Sequence, residues 1–171
     1  MGGRLLAVLA ALVALGMGAP PLRAQALSGH PREHPGLPLH ALALNELDFG
    51  TIFPGIPSSV SAFDGHHAGR FQVRGHEGTS VRVELVLPSA LLAEGGARLP
   101  VSFGPRDGFA DFSGEHEGHG VRFDPHAPII GSLGEEGRLN LRLGGTVRPG
   151  VAQPGGAYRA TIFMTIYDLG S

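Results

Sequence analysis

The chain has 171 residues, 13 basic against 15 acidic and a formal net charge of −2, and it contains no cysteine and no tryptophan. Without cysteine, thiol catalysis, thiolate metal sites and disulfide scaffolds are excluded together. The acidic balance argues against nucleic acid and anionic membrane surfaces as partners; every basic residue is an arginine, which reads as coding bias and not as phosphate recognition.

Arg4 precedes an apolar run, Leu5 to Met17, broken only by small residues, and Pro20 and Pro21 follow it. A positive n-region and a short apolar h-region describe a secretory signal. The run of 13 residues is well short of the roughly 20 that a membrane-spanning helix needs. Ala24-Gln25-Ala26 places small residues where a signal peptidase inspects the chain, so residues 1–26 are expected to be a cleavable signal; Leu22 to Ala24 is a poorer second site. A secreted or periplasmic location follows, with the cell surface as a further destination. No later run is long and apolar enough to act as a transmembrane anchor. Cleavage would leave 145 residues, 11 of them basic and 15 acidic, a size that suits one domain.

Residues 27–38 carry Pro31, Pro35 and Pro38 with His30 and His34 and read as a flexible leader. It makes a poor donor strand, because proline lacks the N–H that strand pairing needs. Polymerisation by exchange of this leader is therefore not favoured.

From residue 39 to 171 the chain is punctuated by Gly and Pro, and apolar residues alternate between the punctuation marks. Alternation with period two is the signature of half-buried strands. Leu139, Leu141 and Leu143 alternate with Arg138, Asn140 and Arg142. Val81, Val83, Leu85 and Leu87 alternate with Arg82, Glu84 and Val86, up to Pro88. Tyr158, Ala160, Ile162, Met164 and Ile166 share a face, and Phe163 and Tyr167 give the opposite face some apolar character. Further strands are expected over Leu42 to Phe49, Val60 to Phe63, Arg70 to Arg74, Arg98 to Phe103 and Val121 to Phe123. Pro100 marks its strand as an edge strand. Ser89 to Glu94 is the one helix-like stretch and is too short to stand alone. Many short alternating strands predict an all-β antiparallel sandwich or barrel, with the sandwich favoured.

Three blocks carry a resemblance to a known family. They are Leu47-Asp48-Phe49-Gly50-Thr51-Ile52 with Pro54-Gly55; Gly69-Arg70-Phe71-Gln72-Val73 with Gly75; and Leu143-Gly144-Gly145-Thr146-Val147 leading to Gly156-Ala157-Tyr158. In this order they resemble the domain of unknown function 4402 family. The resemblance implies an immunoglobulin-like β-sandwich in secreted bacterial proteins, similar to subunits of surface fimbriae, with no enzyme activity and no site to carry over. The His-rich stretch Phe109 to His126 departs from the pattern and reads as an insertion. Read locally, Asp48 and Gly50 suit a turn after a strand, and Gly144-Gly145 a turn or bulge.

Histidine offers the best candidate chemistry. His66 and His67 adjoin in a Gly-flanked turn, and His116 and His119 stand with Glu115 and Glu117, ligand types that suit zinc or copper. No helix aligns the His-x-x-His pair, so a solvated loop is the expected state and no metal or other cofactor is assigned. Ser58, Ser59 and Ser61 stand near Asp64 and His66 without a nucleophile-elbow sequence, and no catalytic residue is expected. The expected function is that of an exported structural or adhesive surface protein, not an enzyme, with other surface or pilus subunits as its partners. The alternative is a periplasmic binding module holding a metal ion through the His/Glu-rich loop.

Overall fold

A computed structural model describes residues 5–13, 38–113 and 120–170. Fourteen strands run through them: β1 Leu5–Val13, β2 His40–Asn45, β3 Leu47–Ile52, β4 Ser58–Val60, β5 Gly69–Arg74, β6 Ser80–Val86 and β7 Ala90–Ala93; then β8 Arg98–Ser102, β9 Gly108–Asp111, β10 Val121–Phe123, β11 Ile129–Ser132, β12 Arg138–Leu143, β13 Gly145–Val147 and β14 Gly156–Gly170. A single 3-10 turn, Glu135–Gly137, accompanies them, and no α-helix occurs among the described residues.

The expected sandwich is the observed fold. One sheet has the order β10-β9-β12-β5-β2, antiparallel throughout. In β12 the leucines Leu139, Leu141 and Leu143 are buried and the alternating Arg138, Asn140 and Arg142 lie on the outer side. The second sheet is built around β14, whose Tyr158, Ile162, Met164 and Ile166 are buried while Arg159, Thr161 and Phe163 are exposed. These faces close on one apolar core with Leu47, Phe71, Val73, Val81, Val83 and Leu91, and its burial stabilises a fold that has no disulfide.

Reading β2-β5-β12-β9 as A-B-E-D, and β6-β14 as C-F, gives the immunoglobulin-like arrangement. Tyr158 supports that assignment. Near the start of β14 it is wholly buried, and its hydroxyl donates to the Pro154 carbonyl four residues upstream at 2.8 Å. This is the tyrosine corner of Greek-key sandwiches.

The edges of β14 are shared in an informative way. Tyr158 and Arg159 pair with β7, and residues 163–170 pair with β6. β1 pairs in parallel with 156–164, overlapping both. Since a strand has only two edges, β6 and β7 must share one and β1 must hold the other. On its far side β1 pairs antiparallel with β3.

Several sequence expectations are corrected. Leu42 to Phe49 is two strands in different sheets: β2 adds to β5, whereas β3 joins β1. The chain crosses over at Asn45, whose amide nitrogen donates to the carbonyls of His66 at 3.1 Å and Ala68 at 2.9 Å. Asp48 and Gly50 do not end a strand but form a bulge within β3. Phe49 is the extra residue opposite the Ala7/Val8 step, Gly50 takes φ +63°, and its N–H donates to Asp48 Oδ1 at 2.8 Å. Ser89 to Glu94 holds strand β7, because Leu91 is drawn wholly into the core and the segment pairs with β8 and β14. β8 is not an edge strand, since it pairs with both β7 and β13. Pro100 is tolerated because its carbonyl takes a bond from the Arg148 N–H at 2.9 Å and it is never called on to donate. Phe109 to His126 is not simply an insertion: Gly108–Asp111 and Val121–Phe123 are β9 and β10, paired with each other, and β9 also pairs with β12.

Candidate functional site

The residues singled out for chemistry separate in space or take structural roles. Asp64 Oδ1 accepts the backbone N–H groups of His66 and His67, each at 2.9 Å, and lies 3.2 Å from His67 Nδ1. Those donors favour the charged carboxylate. The His66 and His67 N–H groups, in that order, hold Asp64 down to about 2, helped by the neighbouring His67 ring. The His67 carbonyl in turn accepts the Asp48 N–H of β3 at 2.9 Å. This turn therefore fastens the β2–β3 crossover to the loop before β5. Among the described residues no three His, Asp or Glu side chains come together as a metal site. His116, His119, Glu115 and Glu117 lie outside the described residues, as do the expected cleavage site and residues 27–37 of the leader.

The other candidates are similarly engaged. Ser59 Oγ lies 2.8 Å from Thr146 Oγ1 across the β4–β13 pair, and Ser61 Oγ accepts the Phe63 N–H at 3.2 Å. No serine–histidine pair is formed by Ser58, Ser59 or Ser61 with His66. His126 Nε2 lies 3.2 Å from the Phe103 carbonyl, and His40 Nδ1 3.2 Å from that of Pro38.

A second candidate is the outer face of β5 and β12. Register sets Arg74 opposite Arg138 and Arg70 opposite Arg142, with Gln72 and Asn140 between the two pairs. Like charges directly opposite each other are unfavourable, and local partners offset them here. Gln72 Nε2 donates to Asn140 Oδ1 at 2.8 Å, Arg74 Nε donates to Gln72 Oε1 at 2.6 Å, and Arg138 pairs with Glu136 at 2.8 Å. Arg70 Nη2 donates to the Gly65 carbonyl at 2.7 Å, while its Nε is buried without a partner. Beyond them Arg122 covers the Phe63 ring at 4.6 Å, and Phe63 meets Phe109 edge-on at 4.8 Å. The face presents cations, and in register with Asn140 it also carries the buried carboxylate of Asp111.

The third candidate is the seam made by β1. Among the described residues β3 has no strand partner except β1, although its Leu47, Phe49 and Ile52 are buried. Across the seam stands β14, with Tyr158, Ile162 and Met164 at most 1% exposed. In an immunoglobulin-like sandwich the position beside strand F belongs to strand G. Here β1 takes that position, running parallel to β14 from Leu5 opposite Gly156 to Val13 opposite Met164. A shallow open depression lined by Ala43, Leu44, Asn45 and Glu46 lies at the β2–β3 crossover next to this seam.

Sequence reasoning identified residues 5–13 as apolar and exported in character but not as a strand. The missed signal was composition: an uninterrupted Leu/Ala/Val run satisfies a buried central strand as well as it satisfies a signal core. No described helix is long and apolar enough to cross a membrane. No family model matches the chain and no curated protein is similar to it, so the family resemblance rests on the three sequence blocks alone.

Proposed function

We propose that this chain is an exported surface protein with a structural or adhesive role, similar to a fimbrial subunit and without catalytic activity. One observation carries the reading: the segment with the composition of an export signal is also the strand that joins β3 to β14. Removal of residues 1–26 takes that strand away. The exported domain then presents two unpaired strand edges over an apolar interior, a state suited to completion by assembly and unsuited to a free-standing monomer. The arginine-rich outer face of β5 and β12 offers a second, polar surface for contact with other surface components.

The test is to produce the full chain with a carboxy-terminal epitope in a bacterial host, fractionate the cells and sequence the amino terminus of the recovered protein. Recovery from the periplasmic or surface fraction with Leu27 at the amino terminus supports the proposal. Recovery of intact protein from the cytoplasm alone overturns it.

A further inference from the structure

We propose that a loop tip at one end of the sandwich docks on a phospholipid bilayer, inserting Phe53, Ile56 and Val151 among the acyl chains with Arg98 and Arg148 at the headgroup phosphates. The proposal goes beyond the export reading and does not rest on the removal of residues 1–26.

The tip is built from two loops. Residues 53–57 join β3 to β4, and residues 148–155 join β13 to β14. The Gly55 N–H donates to the Gly150 carbonyl at 3.0 Å, and Gly55 lies so close to Val151 that a Cβ there would meet the Val151 Cγ1 at 3.2 Å. Each loop is also closed on itself. The Ile56 N–H donates to the Phe53 carbonyl and the Gln153 N–H to the Gly150 carbonyl, both at 3.1 Å. Gln153 Nε2 then ties the second loop to the Arg98 carbonyl at 3.0 Å. The two turns are therefore ordered before any contact, which spares docking the entropy of ordering them.

Three large apolar side chains stand out from this frame, with Phe53 56%, Ile56 60% and Val151 89% exposed. Other exposed apolar residues lie on strands among charges, as Val86 and Ile130 do beside Glu84 and Arg82. The tip differs, because neither Phe49 to Phe63 nor Pro149 to Tyr158 contains a charged residue or a histidine. An exposed apolar patch of this kind marks a contact with a partner or a membrane, and two features favour lipid. Pro54, Pro57, Pro149 and Pro154 have no N–H to strip of water. The N–H groups of Gly55, Ile56 and Gln153 are already bonded, so the backbone enters a water-poor layer with little desolvation. The second feature is the pair of exposed arginines at the base of the tip. Arg148 adjoins Pro149, and Arg98 is held through its carbonyl to Gln153; cations placed behind an apolar tip reach headgroup phosphates while the tip inserts. Glu94, in the turn between β7 and β8, offsets one of these charges. Insertion of apolar side chains, and not the net charge of the chain, therefore supplies most of the binding.

The chain has no tryptophan, so a single indole placed at 53 or 151 reports that position alone. Full-length Phe53→Trp, Val151→Trp and, as a control on β11, Ile130→Trp are mixed with phosphatidylcholine vesicles, with and without phosphatidylglycerol. Sedimentation, emission wavelength and quenching by brominated acyl chains are the readouts. The expected result is binding to both kinds of vesicle, with a blue shift and quenching at 53 and 151 and neither at 130. Phe53→Asp with Val151→Asp should weaken sedimentation about tenfold or more at an unchanged Tm. Val151→Asp alone, at the most exposed of the three positions, carries the same test if the double variant is unstable. Arg98→Gln with Arg148→Gln should remove the tightening that phosphatidylglycerol brings, and tightening that survives both substitutions overturns the placement of these arginines at the phosphates. Failure to sediment overturns the proposal. So does binding that the Asp substitutions leave unchanged, or quenching at 130 equal to that at 53 and 151, since either puts the contact elsewhere in the chain. Self-association that the Asp substitutions abolish, without vesicle binding, would assign the tip to a protein contact and also overturn the proposal. A cytoplasmic location would refute the export reading without altering any of these readouts.

Discussion

Replacing Tyr158 by Phe tests whether the sandwich is pinned at the corner where β14 begins. The ring is wholly buried, its hydroxyl donates to the Pro154 carbonyl at 2.8 Å, and it accepts from Gln153 Nε2 at 2.8 Å. Gln153 Nε2 keeps a second bond, to the Arg98 carbonyl at 3.0 Å, so the substitution strands chiefly the Pro154 carbonyl. A lost hydrogen bond that leaves a partly buried acceptor unpaired costs about 1–2 kcal/mol. For a domain of this size that corresponds to a fall of roughly 3–8 °C in Tm. Urea denaturation of wild type and variant, with unchanged m-values, measures it directly. Gln153→Ala should cost a similar amount, and the double variant should cost less than the two together, because both substitutions break the same link. A Tyr158→Phe variant within about 0.3 kcal/mol of wild type, well below the expected hydrogen-bond loss, would refute the corner as a stabilising device.

Other substitutions probe the core, a close backbone approach and the crossover. Leu141→Ala empties a site only 2% exposed between the sheets and should cost about 2–5 kcal/mol in urea unfolding. Gly144→Ala places a Cβ against the Val60 carbonyl and 2.7 Å from the Ala62 nitrogen; soluble yield and Tm should both fall, because backbone on each side leaves no room to yield. The backbone N–H groups of His66 and His67 hold the Asp64 carboxyl below the usual carboxylate range, at about 2 in the folded protein. Its contribution to stability is therefore fully present above the unfolded value and is lost as pH falls through the folded one. Thermal midpoints measured from pH 5 down to pH 2 should show an acid-dependent loss that Asp64→Asn reduces.

The alternating segments were legible because each has one face in the core and the other in water. Leu139, Leu141 and Leu143 and the Tyr158 to Ile166 set read directly as strands, and they supplied the sandwich. β9 was not legible, because all four of its residues, Gly108 to Asp111, are buried and the alternation disappears. Ser89 to Glu94 misled for a related reason, since a short apolar cluster has no length over which a period can be judged. The crossover at Asn45 depends on carbonyls more than twenty residues away, and local pattern carries no information at that range. Among candidate sites, the Asp64–His67 turn could be read as a turn. Its task of holding β3 through the His67 carbonyl could not. The seam was least visible, because it depends on pairing residues 5–13 with a strand some 150 positions later.

Amide hydrogen exchange on the full chain, compared with a Leu9→Pro variant, tests the central claim most directly. Leu9 sits opposite Ala160 on one side and Leu47 on the other, and proline there removes a ladder donor and disrupts pairing. Exchange should accelerate over residues 47–52 and 156–164 while β5 and β12 keep their protection. Unchanged protection in both segments would mean that β1 does not hold β3 to the sheet, and would contradict the account.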